Sequence, residues 1–210
     1  MQMFASILED IAGQPGSDTT QIATTAASYT KADIYLRDVI GLDPETARVL
    51  DYGAGLGLGT QAIQKIFPNT ESYEPFPGRA VHSPTYQKSS SVPKAAYDGV
   101  ICLNVLNVLE SDLRDQVVKD MRRVVAPGGT AIIGTRGWSG DVAASNFVEM
   151  DPNDPHAGWL MRGGTQRVYQ KGFTTSELQQ YVRTIWGGVA AEIRPLKNLT
   201  KAAVAAIARS

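Results

Sequence analysis

Cysteine, histidine and net charge are all scarce in this chain, and each scarcity removes a class of chemistry. Cys102 is the single cysteine among 210 residues, so no intramolecular disulfide can form and a cysteine-based zinc site lacks ligands. A reducing compartment is the simplest setting for such a chain, and we expect it in the cytoplasm. The formal charge of -1 gives no broad electrostatic footprint for nucleic acid, although a local basic patch stays open. No apolar run approaches the roughly 20 residues of a membrane span. The start, Met1 to Asp10, lacks the basic n-region of a signal peptide and turns acidic where an apolar region belongs. No membrane partner is therefore expected. What the chain does have is 43% apolar residues, enough for a sizeable core in one domain over 1–210.

Glycine is concentrated in one place. Val49 and Leu50 precede Asp51, and glycines then recur at 53, 55, 57 and 59 before Thr60, Ala62, Ile63 and Ile66 set up helical spacing. A strand, a tight loop and a helix follow in that order. Glycine suits such a loop because positive φ costs it nothing and the missing Cβ lets a ligand approach the backbone. A phosphate-binding P-loop needs Lys directly after its last glycine, and the next lysine is Lys65. The dinucleotide fingerprint needs a third glycine three positions after the second, where this chain has Leu58 or Thr60. A nicotinamide-dependent oxidoreductase is disfavoured on that register.

What remains is Asp-x-Gly-x-Gly-x-Gly from Asp51 to Gly57. It resembles the first motif of class I S-adenosylmethionine-dependent methyltransferases. The resemblance implies an α/β fold: a three-layer α-β-α sandwich around a mostly parallel, seven-strand-type sheet whose last strand is antiparallel. It implies S-adenosyl-L-methionine as cofactor, with Asp51, Gly53, Ala54, Gly55 and Gly57 under its methionine portion. Glu74 closes a short strand, Thr70 to Glu74, 23 residues past Asp51. A carboxylate at that distance can accept both ribose hydroxyls, and it matches the family's ribose acid; a surface glutamate at a strand end is the alternative.

Other segments fit this frame with departures. Residues 1–46 read as an N-terminal helical cap. Phe4, Ile7, Leu8 and Ile11 share one helical face. Thr30 can cap a second helix with Ile34, Leu36, Val39 and Ile40 apolar and Gly41 at its end, and Asp43-Pro44 starts a further turn. In the family such helices lie over the cofactor mouth, which would bring Tyr29 and Lys31 near it. Residues 47–135 read as the cofactor-binding half. Prolines at 75, 77 and 84 leave no place for the helix that usually follows the second strand; an extended loop there would leave the cofactor edge more open. A brief third strand near Tyr86 to Ser89 would place Ser90 and Ser91 at the family's adenine position. Tyr97 to Asn104 reads as a fourth strand buried on both faces. Ser111 can cap a helix with Leu113, Val117, Val118, Met121 and Val125 inward. Pro127-Gly128-Gly129 then turns into a fifth strand, Thr130 to Thr135.

Residues 136–172 form a substrate-side insertion, and a connection of that length is usually functional. Gly163-Gly164 can turn a hairpin whose arm Thr165 to Tyr169 alternates. Arg162, Arg167 and Lys171, interleaved with Tyr169, make the clearest local basic patch. It suits an anionic or aromatic acceptor, a nucleotide included, or else is a solvated hairpin face. Residues 173–210 supply a closing helix, opened by the capping box Thr174 and Glu177 with Phe173 and Leu178 as its staple, and two strands at Ala190 to Ile193 and Ala202 to Ile207.

Ligands in open α/β sheets bind outside the carboxyl ends of the strands, here Asp51, Glu74, Asn104 and the Thr135-Arg136 pair. Holding a nucleophile in line with an activated methyl requires no obvious acid or base. Asn104, His156 and Tyr169 are the catalytic candidates, Asn104 also a cofactor contact, and Arg136, Arg167 and Lys171 the substrate candidates; no metal is implied. The motifs of DNA amino-methyltransferases, cytosine-C5 enzymes, catechol-type enzymes and arginine methyltransferases are absent, so the acceptor is open between a small molecule and a nucleic acid or nucleotide. A non-catalytic cofactor-binding protein of the same fold is the alternative.

Overall fold

The computed structural model describes residues 26–77, 80–138, 142–143, 146–162, 166–187, 193–195 and 203–209. The amphipathic segment expected at 4–11, the Gly163-Gly164 turn and Thr165 lie outside them, as do residues 190–192 and 202 of the expected closing strands. In chain order the elements are α1 (Ala26–Ile34), continuing as a π-helical stretch Tyr35–Ile40, β1 (Val49–Tyr52), α2 (Leu58–Gln64), β2 (Glu71–Tyr73) and β3 (Tyr97–Leu103). Then come α3 (Ser111–Val124), β4 (Val125–Arg136), β5 (Glu149–Met150), β6 (Ala157–Arg162), β7 (Gln166–Lys171), α4 (Thr175–Trp186), β8 (Ile193–Pro195) and β9 (Ala203–Arg209).

Six strands form one sheet in the order β2-β1-β3-β4-β9-β8. β1 pairs parallel with β2 and β3, and β3 with β4, whereas β9 runs antiparallel to β4 and β8. The expected third strand survives as one parallel bridge, Tyr73 to Tyr86, beyond β2. Because β2 lies on one side of β1 and β3 on the other, the order reverses at β1, and a crevice opens there at the carboxyl ends.

Strand residues alternate between two cores, as a sheet covered on both faces requires. Leu50, Tyr52, Val100, Cys102, Ala131 and Ile133 meet Val117 and Met121 of α3 and Leu178, Val182 and Trp186 of α4. Val49, Ile101, Leu103 and Ile132 meet Tyr29, Ala32 and Leu36 of the cap and Ile63 and Phe67 beside α2. This is the three-layer arrangement. Among the described residues no helix is long and apolar enough to cross a membrane.

Local boundaries differ from the sequence expectation at identifiable points. Thr30 sits inside α1 and does not cap it. The buried face is Ser28, Tyr29, Ala32, Asp33 and Leu36, while Ile34 and Val39 are exposed. The π-helical stretch, ended by left-handed Gly41 (φ 83°), turns the apolar residues off the stripe a regular 3.6-residue period would give them. Glu110, not Ser111, occupies the cap position of α3 and makes no side-chain cap bond. Val125 is the first residue of β4 rather than part of α3; the Pro127-Gly128-Gly129 turn is absorbed as an irregularity within that strand, where the register steps between Tyr97–Val125 and Gly99–Thr130. The capping box of α4 is complete, Thr174 accepting from Glu177 N at 3.1 Å and Glu177 accepting from Thr174 N at 3.2 Å.

The insertion is a second, three-stranded antiparallel sheet, β5-β6-β7. Its charged residues turn towards acids of the same chain. Lys171 is buried between Asp154 and Glu177, and Arg114 of α3, also buried, pairs with Asp154. The Tyr169 hydroxyl donates to Asp154 at 2.8 Å and Asp151 at 3.1 Å. This network fastens the small sheet to α3 and α4. Removing one partner of a buried ion pair strands the others, at a cost of about 3–5 kcal/mol. Asp154→Asn is therefore expected to lower the urea midpoint by an amount of that order at unchanged slope, whereas Arg167→Ala, whose pair with Glu149 is exposed, changes it little.

Candidate functional site

The glycine loop is held in place by the strand beside it. Gly53 N and Ala54 N both donate to the Tyr73 carbonyl, at 2.8 and 3.0 Å, and Gly57 N donates to Ala54 at 2.9 Å. Gly53, Gly55 and Gly57 have φ of 79°, 55° and 80°, a region that side chains rarely enter. A Cβ on Gly53 would collide with Val105 Cγ2, whereas one on Gly55 would meet nothing within 4 Å. The loop thus has a packed floor and an open position at Gly55.

Glu74, buried, reaches across to this loop. Its carboxylate accepts from Gly55 N at 2.7 Å and from Phe76 N at 3.0 Å. Asn104 follows the end of β3 in the left-handed region, φ 60°, its N–H donating to Gly134 O at 2.8 Å, and Val105 comes next over Gly53. Arg136 is half-buried at the end of β4, and its backbone carbonyl accepts from Phe173 N at 3.0 Å. The structure therefore gathers Asp51, the glycine loop, Glu74 and Asn104 at one crevice, with Arg136 two strands from β1 at the same end.

Two further segments close over the loop. α1 lays the Tyr29 ring where a Cβ on Gly59 would stand, with the Tyr29 hydroxyl turned towards Asp51. Lys31 is exposed on the opposite face. The proline-rich stretch forms no α-helix among its described residues, and Gly78 and Arg79 lie outside them. It nevertheless does not leave the edge open. Val81 N donates to Leu56 O at 3.0 Å, and a Cβ on Gly57 would stand 3.1 Å from the His82 Cβ. The loop lies where a cover is needed because Glu74 fixes its first residue and Leu56 a later one.

The remaining candidates lie elsewhere. Ser90 and Ser91 are exposed on a 3-10 turn whose flanking carbonyls, Ser89 and Val92, accept from Arg123 of α3 at 2.9 Å each. His156, with φ 63°, is stacked on Trp138 at 4.4 Å and bonded to Glu177 at 3.0 Å, so it belongs with the α4 capping box. Tyr169 and Lys171 are members of the buried network, and Arg167 lies over Trp159 at 4.8 Å beside Glu149. Three residues spaced as a basic patch in the sequence are thus not a free cationic face: Arg167 and Lys171 each have an acid partner, and the side chain of Arg162 lies outside the description. Among the described residues no group of three or more His, Cys, Asp or Glu could hold a metal ion.

Sequence reasoning missed Asp33. It is fully buried on α1, and neither carboxylate oxygen has a hydrogen-bond partner among the described residues. Burial, then the nearby charge of Asp51, pushes it up to about 7. Burial likewise pushes Asp51 up to about 7, against the bond from Thr60 (2.7 Å) and the nearby Tyr29 hydroxyl. The Asp33 signal was in the sequence, four residues past Tyr29 and so on the same helical face.

A family model described as methyltransferase domain matches residues 26–181. No curated protein sequence matches significantly. The fold is similar to that of a 1,6-didemethyltoxoflavin-N1-methyltransferase from Burkholderia thailandensis, with 1,6-didemethyltoxoflavin and S-adenosylhomocysteine bound, at 17% identity and TM-score 0.58 over 98% of this chain and 88% of that one. It is similar to a S-adenosylmethionine-dependent methyltransferase from Clostridium acetobutylicum at 12% identity and TM-score 0.63, covering 89% and 92%. A third similar structure is SAM-bound CalS10, an amino pentose methyltransferase from Micromonospora echinaspora, at 17% identity and TM-score 0.60, covering 91% and 94%. At such identities the likeness is one of fold.

The two acids make a pH prediction. Their folded values lie above the ordinary 3.8, so between about pH 4 and 7 the folded state holds more protons than the unfolded one, and stability falls as pH rises. Glu71, Asp154 and Glu177 are held below their ordinary values by Arg48, Arg114 and Lys171 against the opposing effect of burial, so their contribution is lost only as pH falls below about 4.5. Urea titrations of the ligand-free protein should therefore place maximal stability near pH 4–5. A rise from pH 5 to 7 would contradict the assignment.

Proposed function

The chain belongs to the methyltransferase-domain family and is thus an enzyme, and from that premise we propose that it transfers the methyl group of S-adenosyl-L-methionine to a small-molecule acceptor. The observation that carries the cofactor reading is the Gly55–Glu74 bond, which fixes an acid beside the one loop position that is open above the backbone. The residues present fit the cofactor: a glycine cradle with positive φ, a buried carboxylate at its edge, and an Asp51 oxygen, Oδ1, that is buried without a partner.

When bound, the cofactor supplies a methyl already activated on a sulfonium sulfur. The chain's own task is then to orient and to exclude water. In this reading Gly53 to Gly57 lie under the methionine portion, Glu74 accepts from the ribose hydroxyls as an ionised acid, and Tyr29 and His82 cover the loop from either side. Asn104 and Val105 form the wall towards the acceptor.

Two observations support a small acceptor. The three-stranded insertion sits on the Leu106–Val108 turn after β3, with Val168 buried and Asn107 donating to Gln170 at 3.3 Å, which roofs the acceptor side. Arg167 and Lys171 face acids of the chain itself, which supports a neutral or weakly charged acceptor over a phosphate backbone. Structures of similar fold include one with 1,6-didemethyltoxoflavin bound, an amino pentose methyltransferase and a sugar N-methyltransferase, which is in keeping with a small acceptor.

Titration calorimetry with S-adenosylhomocysteine tests the cofactor reading. Glu74→Ala should weaken binding by about 1.5–3 kcal/mol, the range for hydrogen bonds to a charged group; unchanged affinity in a folded variant would remove Glu74 from the ribose site. Acceptor class is read by incubating the protein with methyl-labelled cofactor and separated small-molecule and nucleic-acid fractions. Label should enter the small-molecule pool, and label in nucleic acid alone would reverse that assignment.

A further inference from the structure

Two side-chain amides meet where the insertion lies against the carboxyl ends of β3 and β4. Asn107, in the turn after β3, is buried, and its Nδ2 donates to Gln170 Oε1 of β7 at 3.3 Å, a bond longer than usual. Asn107 Oδ1 is buried and has no hydrogen-bond partner among the described residues. Contacts on either side fix the place of the pair. Val105, just before the turn, packs where a Cβ on Gly53 would collide with it. Val168, on the same face of β7 as Gln170, is buried and pairs in register with Leu160 of β6. At Gly172, just beyond β7, a Cβ would stand 3.0 Å from Trp138, which follows β4. The amides are thus strung between the glycine loop and the segment leaving β4, under the roof that the insertion makes.

Nothing in the packing of the insertion accounts for this pair. The charged network that fastens the small sheet uses Arg114, Asp154, Tyr169, Lys171 and Glu177 and does not include it. A buried amide costs stability unless its polar atoms are bonded, and native folds rarely leave one unpaired. Apolar residues at both positions would occupy the space without that cost. The bond between the two amides leaves an open oxygen on Asn107 and does not engage the whole NH2 of Gln170. One acceptor beside one donor, both neutral, match a group that presents an N–H beside a C=O. An anion offers no donor to the Asn107 oxygen, an ammonium offers no acceptor to the Gln170 amide, and the edge of a cyclic amide offers both. Resting on the methyl-transfer reading above, we propose that Asn107 and Gln170 recognise the methyl acceptor, a small neutral heterocycle with a lactam or imide edge. Asn107 Oδ1 accepts from its ring N–H, and Gln170 Nε2 donates to its C=O. Reversing both amides preserves the same inventory.

The test uses the full chain loaded with S-adenosylhomocysteine, whose binding is first established by titration calorimetry. Ligand-observed NMR then gives dissociation constants for matched rings: 2-pyridone against pyridine, uracil against pyrimidine, and lumazine against pteridine. The lactam or imide member of at least one pair should bind about tenfold or more tightly than its match. In a variant carrying Asn107→Leu with Gln170→Leu that preference should vanish, while affinity for S-adenosylhomocysteine is kept. Its urea midpoint should be unchanged or raised, because both members of the polar pair are replaced together. A lowered midpoint would make the pair a structural fastening, completed by an internal water, and overturn the proposal. So would a preference that survives in the variant. Absence of any preference in the wild type overturns it without recourse to a variant. If the wild type does not bind S-adenosylhomocysteine, the cofactor reading itself falls; if it does and the lactams bind no better than their matches, only this assignment falls.

Discussion

The bond from Gly55 N–H to the Glu74 carboxylate, 2.7 Å long and partly buried, is the constraint from which the crevice takes its shape. A glycine loop at positive φ is entropically costly to hold and has no side chains with which to anchor itself. Here the neighbouring strand does the holding. Tyr73 takes two loop N–H groups through its carbonyl, and Glu74 takes the third through its side chain. A bond to an ionised acceptor is about twice as strong as a neutral one, so the loop, β2 and the start of the proline-rich segment are set as one piece. The parallel register of β1 with β2, Asp51 opposite Ser72, is what brings Glu74 within reach.

Cover over the crevice comes from two sources that a regular member of this architecture would provide differently. Among the described residues no α-helix follows the second strand, and in its place runs a loop tied at Phe76 to Glu74 and at Val81 to Leu56. On the other side α1 rests Tyr29 on Gly59, where any side chain would collide with the ring. Gly59 thus has a steric reason for being glycine that is separate from the positive φ of Gly53, Gly55 and Gly57. Four glycines in one motif serve two physical ends.

The insertion shows how charge is neutralised by topology. Along the sequence Arg167 and Lys171 have no acid nearby and look available to an anion. In the fold, β5 pairs with β6 so that Glu149 comes beside Arg167, and the Asp154 turn and the first turn of α4 close around Lys171. Burying an ammonium requires such partners, and for Lys171 they come from segments 17 residues upstream and 6 downstream.

Much of the architecture was legible because it is periodic or local. The parallel strands announced themselves as apolar runs, the α4 start as Thr174 and Glu177 at capping-box spacing, and the crevice as Asp51, the glycines and Glu74, since strand ends of one parallel sheet must lie together. What sequence could not decide was everything set by contacts between distant segments. Whether Lys171 faced solvent, whether the Pro75–Pro84 loop opened or covered the edge, and that β6 and β7 made a sheet of their own all depended on partners far along the chain. Asp33 is the sharpest case: its helical spacing from Tyr29 was visible, but its burial beside Asp51 follows only from the docking of α1 on the glycine loop. Local pattern determines which residues share a face; tertiary packing alone determines what that face meets.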